Sequence, residues 1–210
     1  MNLIKKFFSQ TRSPEGFLGK LMLISMNSGH SQLAEWGMSY LPSFLPHQLL
    51  EIGCGAGANA KRLMKRYPGA HMTAIDISPL SVRKTEKYNR RMVEAGYCTV
   101  SLGNAAHLEF EDESFDLATA FETIYFWGSL EQCFAEVYRV LKKDGYFMIC
   151  NESDGLDQTS LAFEKIIDGM KNHTAEEIEA ALKSAGFIEV KMEHHSSKPW
   201  ITVLAQKKDL

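Results

Sequence analysis

Apolar positions along this chain follow two alternating rhythms. Short apolar runs stand at "QLLEIG" (48–53), "HMTAIDI" (71–77), "CTVSLGN" (98–104), "FDLATAFE" (115–122) and "YFMICNE" (146–152), and each reads as a strand. Helical spacing fills the gaps. "ANAKRLMKRY" (58–67) puts Leu63, Met64 and Tyr67 on one face, and Pro68-Gly69 stops it. Ser78-Pro79 reads as an N-cap followed by a first-turn proline, opening a helix to about Gly96. In "SLEQCFAEVYRVLKKDG", Ser129 and Gln132 suggest a capping box ahead of a stripe of Leu130, Phe134, Val137 and Leu141. Lys142 and Lys143 are then expected at the negative end of that helix, with Gly145 ending it. Thr174 and Glu177 form a second capping box. "FIEVKMEHH" and "PWITVLAQKK" lie too close together for a crossover helix, so they should pair antiparallel.

The order is βαβαβ–βαβ, then a helix and a β-hairpin. That predicts an α/β doubly wound sheet, mostly parallel, with an antiparallel strand near one edge. Residues 1–45 precede the first strand and look helical, and 46–210 form the sheet domain. At 210 residues the chain suits one domain, and its 45% hydrophobic and 23% charged content is that of an ordinary soluble protein. A net charge of −3 offers no global field for nucleic acid, so none is expected as partner. Cys54, Cys98, Cys133 and Cys150 are scattered without a CxxC pair, which suggests neither zinc nor disulfides and fits a reducing cytoplasm. No signal-peptide pattern or membrane span is read, and His194-His195 reads as strand surface rather than a metal pair.

The stretch "LLEIGCGAGANAKRL" (49–63) carries the chemistry. A strand, a glycine turn and a helix start let a ligand lie against bare backbone. Asp76 ends the next strand about twenty residues on. A carboxylate there accepts from both hydroxyls of a ribose, so an adenosine-type ligand is implied. Gly53, Gly55 and Ala58 also satisfy the dinucleotide pattern, which leaves an NAD-type oxidoreductase as an alternative. Glu51 argues against it. A carboxylate two residues before the first glycine would repel a pyrophosphate, and suits a ligand end carrying an ammonium and a sulfonium.

"LLEIGCGAGANAKRL", "AIDISPLSV", "GNAAHLEFEDESFDLATAFETIYFW" and "EVYRVLKKDGYFMI" resemble the four successive motifs of class I S-adenosylmethionine-dependent methyltransferases. The likeness is greatest to the small-molecule type related to ubiquinone/menaquinone-biosynthesis C-methyltransferases. The resemblance implies a seven-stranded sheet of order 3-2-1-4-5-7-6, with S-adenosyl-L-methionine as cofactor and S-adenosyl-L-homocysteine as product. It implies that Gly53, Cys54, Gly55 and Gly57 form the turn against the methionyl part, and that Glu51 orients the amino end through water or backbone. Asp76 would hold the ribose and Ile77 would pack on the adenine. Asn104 and Ala105 would face the adenine edge, and Phe121 would lie where cofactor and acceptor meet. Asn104 departs from the family, which usually has Asp there; its amide oxygen can still accept a hydrogen bond.

Methyl transfer from a sulfonium is an in-line displacement, so alignment and water exclusion carry most of the rate. Residues that follow the fourth strand are candidates: Glu122 and Tyr125 for catalysis, Trp127 for the acceptor. The structural alternatives are a hydrogen-bonding role for Glu122 and core packing for Trp127. The N-terminal segment is expected to form a lid, with His30 as base or contact and Asn27 and Trp36 toward the acceptor. A surface or capping role is the alternative for His30. A small-molecule acceptor is expected, without stable membrane association. A non-catalytic S-adenosylmethionine-binding protein remains a further alternative.

Overall fold

In the computed structural model, residues 31–208 are described. They form helix α1 (Ser31–Met38), β1 (Gln48–Ile52), α2 (Ala58–Arg66), β2 (His71–Asp76), α3 (Pro79–Tyr88), α4 (Arg90–Glu94) and β3 (Cys98–Leu102). Then come β4 (Phe115–Phe121), a 3-10 turn (Ile124–Phe126), α5 (Leu130–Val140), β5 (Leu141–Asn151), α6 (Gln158–Glu164), α7 (Ala175–Ser184), β6 (Glu189–His194) and β7 (Ile201–Gln206). The sheet has seven strands in the order β3-β2-β1-β4-β5-β7-β6. β7 runs antiparallel to β5 and β6, and the other pairs are parallel.

Alternate side chains of the central strands go to opposite faces, and each face has its own core. Leu50, Phe147 and Ile149 join Phe134 and Val137 of α5 and Ile178 and Leu182 of α7. Leu49, Met72, Leu117 and Met148 join Leu33 and Met38 of α1 and Ala60 and Leu63 of α2. The described part of the N-terminal segment is therefore a layer of the core. Leu33 and Ala34 are buried, and a Cβ at Gly37 would come within 2.5 Å of the Cys150 sulfur. Among the described residues, no helix is long and apolar enough to cross a membrane.

Two boundaries differ from expectation. The helix after Phe121 ends at Val140, not at Gly145, so Lys142 and Lys143 lie in β5. The reason is competition for the last turn. The backbone N–H groups of Glu113 and Ser114 donate to the carbonyls of Arg139 and Val140, and Leu141 pairs with Phe115. Lys142 then reaches the Asp116 carboxylate at 3.0 Å. The second expected helix breaks at Asn89, whose side-chain amide donates to the carbonyls of Gly57 and Thr85. At Ser129 only half of the expected box is made: its hydroxyl accepts from the Gln132 N–H, but the Gln132 side chain donates to the Ala106 carbonyl. The Thr174–Glu177 box is complete.

Candidate active site

The carboxyl ends of β1, β2, β3 and β4 open onto one cleft of about 280 Å³. Each strand end is tied to its neighbour. The N–H groups of Gly53 and Cys54 donate to the Ile75 carbonyl, Gly103 donates to Asp76, and Glu122 donates to Cys150. The loops therefore start from fixed positions.

The glycine turn has a separate reason at each end. Gly53 has φ +82°, and a Cβ there would run into the Thr123 side chain. Gly57 has φ +83° and precedes α2; a Cβ there would stand 2.5 Å from the Asn89 amide nitrogen and 3.0 Å from Thr85 Cα. Gly57 thus serves the packing of the turn on α3, and it does not line the cleft. Cys54 is also turned inward. Its thiol accepts from the Thr85 hydroxyl at 3.4 Å, and burial pushes its pKa up.

Asp76 closes the turn. One carboxylate oxygen accepts from the Gly55 N–H and the other from the Ser78 N–H, both at 2.9 Å. Burial raises its pKa, while these N–H donors oppose the rise. The Ser81 hydroxyl and the Ile77 N–H act on the same carboxylate in the same sense. Ile77, beside it, is 48% exposed at the cleft, which is unusual for an isoleucine and leaves an apolar surface for a flat ring. Opposite it, Asn104 accepts from the Ala106 N–H at 3.0 Å, which shapes the 104–107 turn along the cleft wall.

Residues 50–149 match the family described as "Methyltransferase domain". Over these residues the chain carries a methyltransferase domain. The malonyl-[acyl-carrier protein] O-methyltransferase of Geobacter sulfurreducens is 31% identical over 170 residues, covering 73% of this chain and 62% of that protein. Squalene methyltransferase 1 of Botryococcus braunii is 36% identical over 98 residues, covering 47% of this chain and 26% of that protein. The chain thus spans about three-fifths of the first relative and a quarter of the second. Among solved structures, a chain from the complex of a Haloferax volcanii methyltransferase with its activator superposes at a TM-score of 0.82. It is 16% identical, with 90% of this chain and 94% of that chain covered. The geranyl diphosphate C-methyltransferase of Streptomyces coelicolor, solved with Mg2+, geranyl diphosphate and S-adenosyl-L-homocysteine, gives 0.71 at 15% identity, with 84% and 77% covered. These two likenesses show the methyltransferase fold.

Of the residues singled out in the sequence, Gly53, Gly55, Asp76, Ile77, Asn104, Ala105, Phe121, Glu122 and Trp127 line the cleft. Glu51 lies beneath the turn, buried at 1% exposure, and its Oε2 has no hydrogen-bond partner. Burial, then the nearby Asp76, pushes its pKa up to about 8. Glu122 has φ +57°, a left-handed conformation rare for a residue with a side chain. That turn aims its Oε1 at the Glu152 N–H and at the Tyr125 hydroxyl, which donates at 3.1 Å. Burial and the neighbouring Glu152 carboxylate raise the Glu122 pKa well above its usual range. Tyr125 stands behind Glu122, away from the cleft lining, and its oxygen accepts from the Ser153 N–H.

Trp127 has contacts on two sides. It lines the cleft, and its ring stacks on Phe147 at 6.3 Å and meets Phe134 edge-on. Trp36 is not in the cleft lining, contrary to the expectation of an acceptor contact. It packs instead in an aromatic group with Tyr40, His195 and Trp200, where β6 and β7 meet α1. Asn27 and His30 lie outside the described residues. The sequence reading missed Thr123 and Cys133, which also line the cleft beside Phe126. It also missed Arg139, which donates to the carbonyls of Leu108 and Phe110 and to Glu136 and Asp112. Arg139 carries the 104–113 wall on α5. Its signal in the sequence was an Arg in an acidic neighbourhood, which commonly means no more than a solvated ion pair.

Proposed function

We propose that this protein transfers a methyl group from S-adenosyl-L-methionine to a small-molecule acceptor. One observation carries the reading: Asp76 and the glycine turn meet through the Gly55 N–H, at the mouth of a cleft with an apolar shelf at Ile77. In this reading Asp76 accepts from the ribose hydroxyls, Ile77 and Ala105 flank the adenine, and Asn104 faces its edge. The turn at Gly53 and Gly55 lies along the methionyl part, and Phe121 borders the sulfur end. The cofactor supplies an activated methyl group on a positively charged sulfur.

The residues then align and dehydrate. Trp127, held by Phe147 and Phe134, forms a rigid wall. Glu122 and Tyr125 fix the loop after β4 through their shared hydrogen bond, and act as positioning residues. A carboxyl with one oxygen already accepting two donors is poorly placed to take a proton from an acceptor. Orientation alone is worth about 7–11 kcal/mol in favourable cases, which suits a displacement without a strong base. His30 and Asn27, outside the described residues, stand as candidates for the acceptor side.

The named relatives act on unlike acceptors, including a malonyl group on acyl-carrier protein and squalene. The test is incubation with methyl-labelled S-adenosylmethionine and a panel of acceptors: a malonyl thioester on carrier protein, squalene, and a methylene sterol. Label in one acceptor class supports the reading and decides between oxygen and carbon. Tight cofactor binding with no label across a broad panel would favour the non-catalytic alternative.

A further inference from the structure

The buried carboxyl beneath the glycine turn has no place in the alignment just described. Glu51 sits on β1, two residues before Gly53, with its Oε2 unpartnered among the described residues. An unsatisfied buried carboxylate is costly, whereas the protonated acid is far less so. The groups facing it come from four elements. Asp76 lies on β2, Cys54 on the turn, Arg62 and the Ala60 N–H on α2, and Cys98 on β3. Arg62 is the one cation among them, and it is partly exposed and directed toward Glu35 at 3.9 Å. Asp76 is the better-solvated acid of the pair, because each of its oxygens accepts a backbone N–H. The proton of this cluster therefore belongs on Glu51.

We infer that Glu51 is a charge sensor for the cofactor. It holds a proton beneath the unliganded turn, releases it when a sulfonium-bearing ligand fills the cleft, and takes one back from solvent when that ligand has become the thioether. The inference rests on the reading of the cleft as an S-adenosylmethionine site. S-adenosylmethionine carries one more positive charge than S-adenosylhomocysteine, on the sulfur. In a site of low dielectric, that charge favours the ionised form of a nearby carboxyl. As the acceptor's electron pair forms the new bond to the methyl carbon, the carbon–sulfur bonding pair stays on sulfur and the cation is gone. Glu51 then regains its proton, and the hold on the product weakens relative to the hold on the substrate.

The experiment is calorimetric titration of the whole chain at pH 6.5 with each ligand, in two buffers of unlike ionisation enthalpy. At that pH the α-amino groups of both ligands are charged, so released protons come from the protein. S-adenosylmethionine should release close to one proton, and its affinity should rise about tenfold per pH unit from 6.5 to 7.5. S-adenosylhomocysteine should release fewer than half as many. Glu51→Gln, which mimics the neutral acid, should abolish the difference. Equal proton release for the two ligands overturns the inference and leaves the cofactor reading standing. So does release by Glu51→Gln equal to that of the unsubstituted chain. Failure of both ligands to bind overturns both. If the variant does not fold, the comparison of the two ligands on the unsubstituted chain decides alone.

Discussion

At the scale of single residues, two aspartates do different work. Asp76 organises the glycine turn from inside the site. Asp76→Ala should weaken S-adenosylmethionine binding by about 10–100-fold, the worth of a charge-assisted hydrogen bond or two, as read by calorimetry. Asp116 works far from the cleft. It accepts from the His47 and Gln48 N–H groups and from Lys142, and these donors hold its pKa below the usual value. A depressed folded pKa means that its stabilisation is complete above the unfolded value and is lost as pH falls through the folded one. Asp116→Asn should therefore lower urea stability by about 1–3 kcal/mol at pH 7, with the gap closing below about pH 4. Glu122→Gln should keep turnover within about tenfold, because the amide oxygen still accepts from Tyr125 and Glu152; a base would lose on the order of 100-fold or more. The residues that touch backbone were legible in the sequence, since Gly and Asp at fixed spacing leave few other uses. Trp36 was not legible. An aromatic on an amphipathic helix looks the same whether it meets a ligand or, as here, Trp200 and His195.

At the scale of elements, the turn and α3 are one unit. Asn89 ends α3 by bonding the Gly57 carbonyl, and Gly57 leaves no room for a Cβ. Gly57→Ala should cost roughly 1–3 kcal/mol from the left-handed backbone alone. A loss below the lower figure in urea unfolding would mean that the turn tolerates displacement. The strand runs and the hairpin were readable from their apolar patterns. The junction of α5 and β5 was not, because the rule that glycine ends helices competes with pairing that is invisible locally. Leu141 belongs to a strand because Phe115, far away in sequence, is there to receive it. Arg139 shows the same limit, since its partners Leu108, Phe110 and Asp112 reach it only after folding.

At the scale of the whole molecule, a doubly wound sheet gathers four strand ends on one side, and the ligand site follows from that topology. A ligand held there should stabilise the whole fold. At 100 times its dissociation constant, binding adds about 2.7 kcal/mol. For a chain of this size that raises the melting temperature by roughly 5–10 °C. The central claim is the identity of that ligand, and calorimetric titration with S-adenosylmethionine beside NADH tests it most directly. Saturable one-to-one binding of S-adenosylmethionine, lost in Asp76→Ala, with no heat from NADH, is the predicted result. Binding of NADH in its place would contradict the account and return the turn at Gly53 to a dinucleotide.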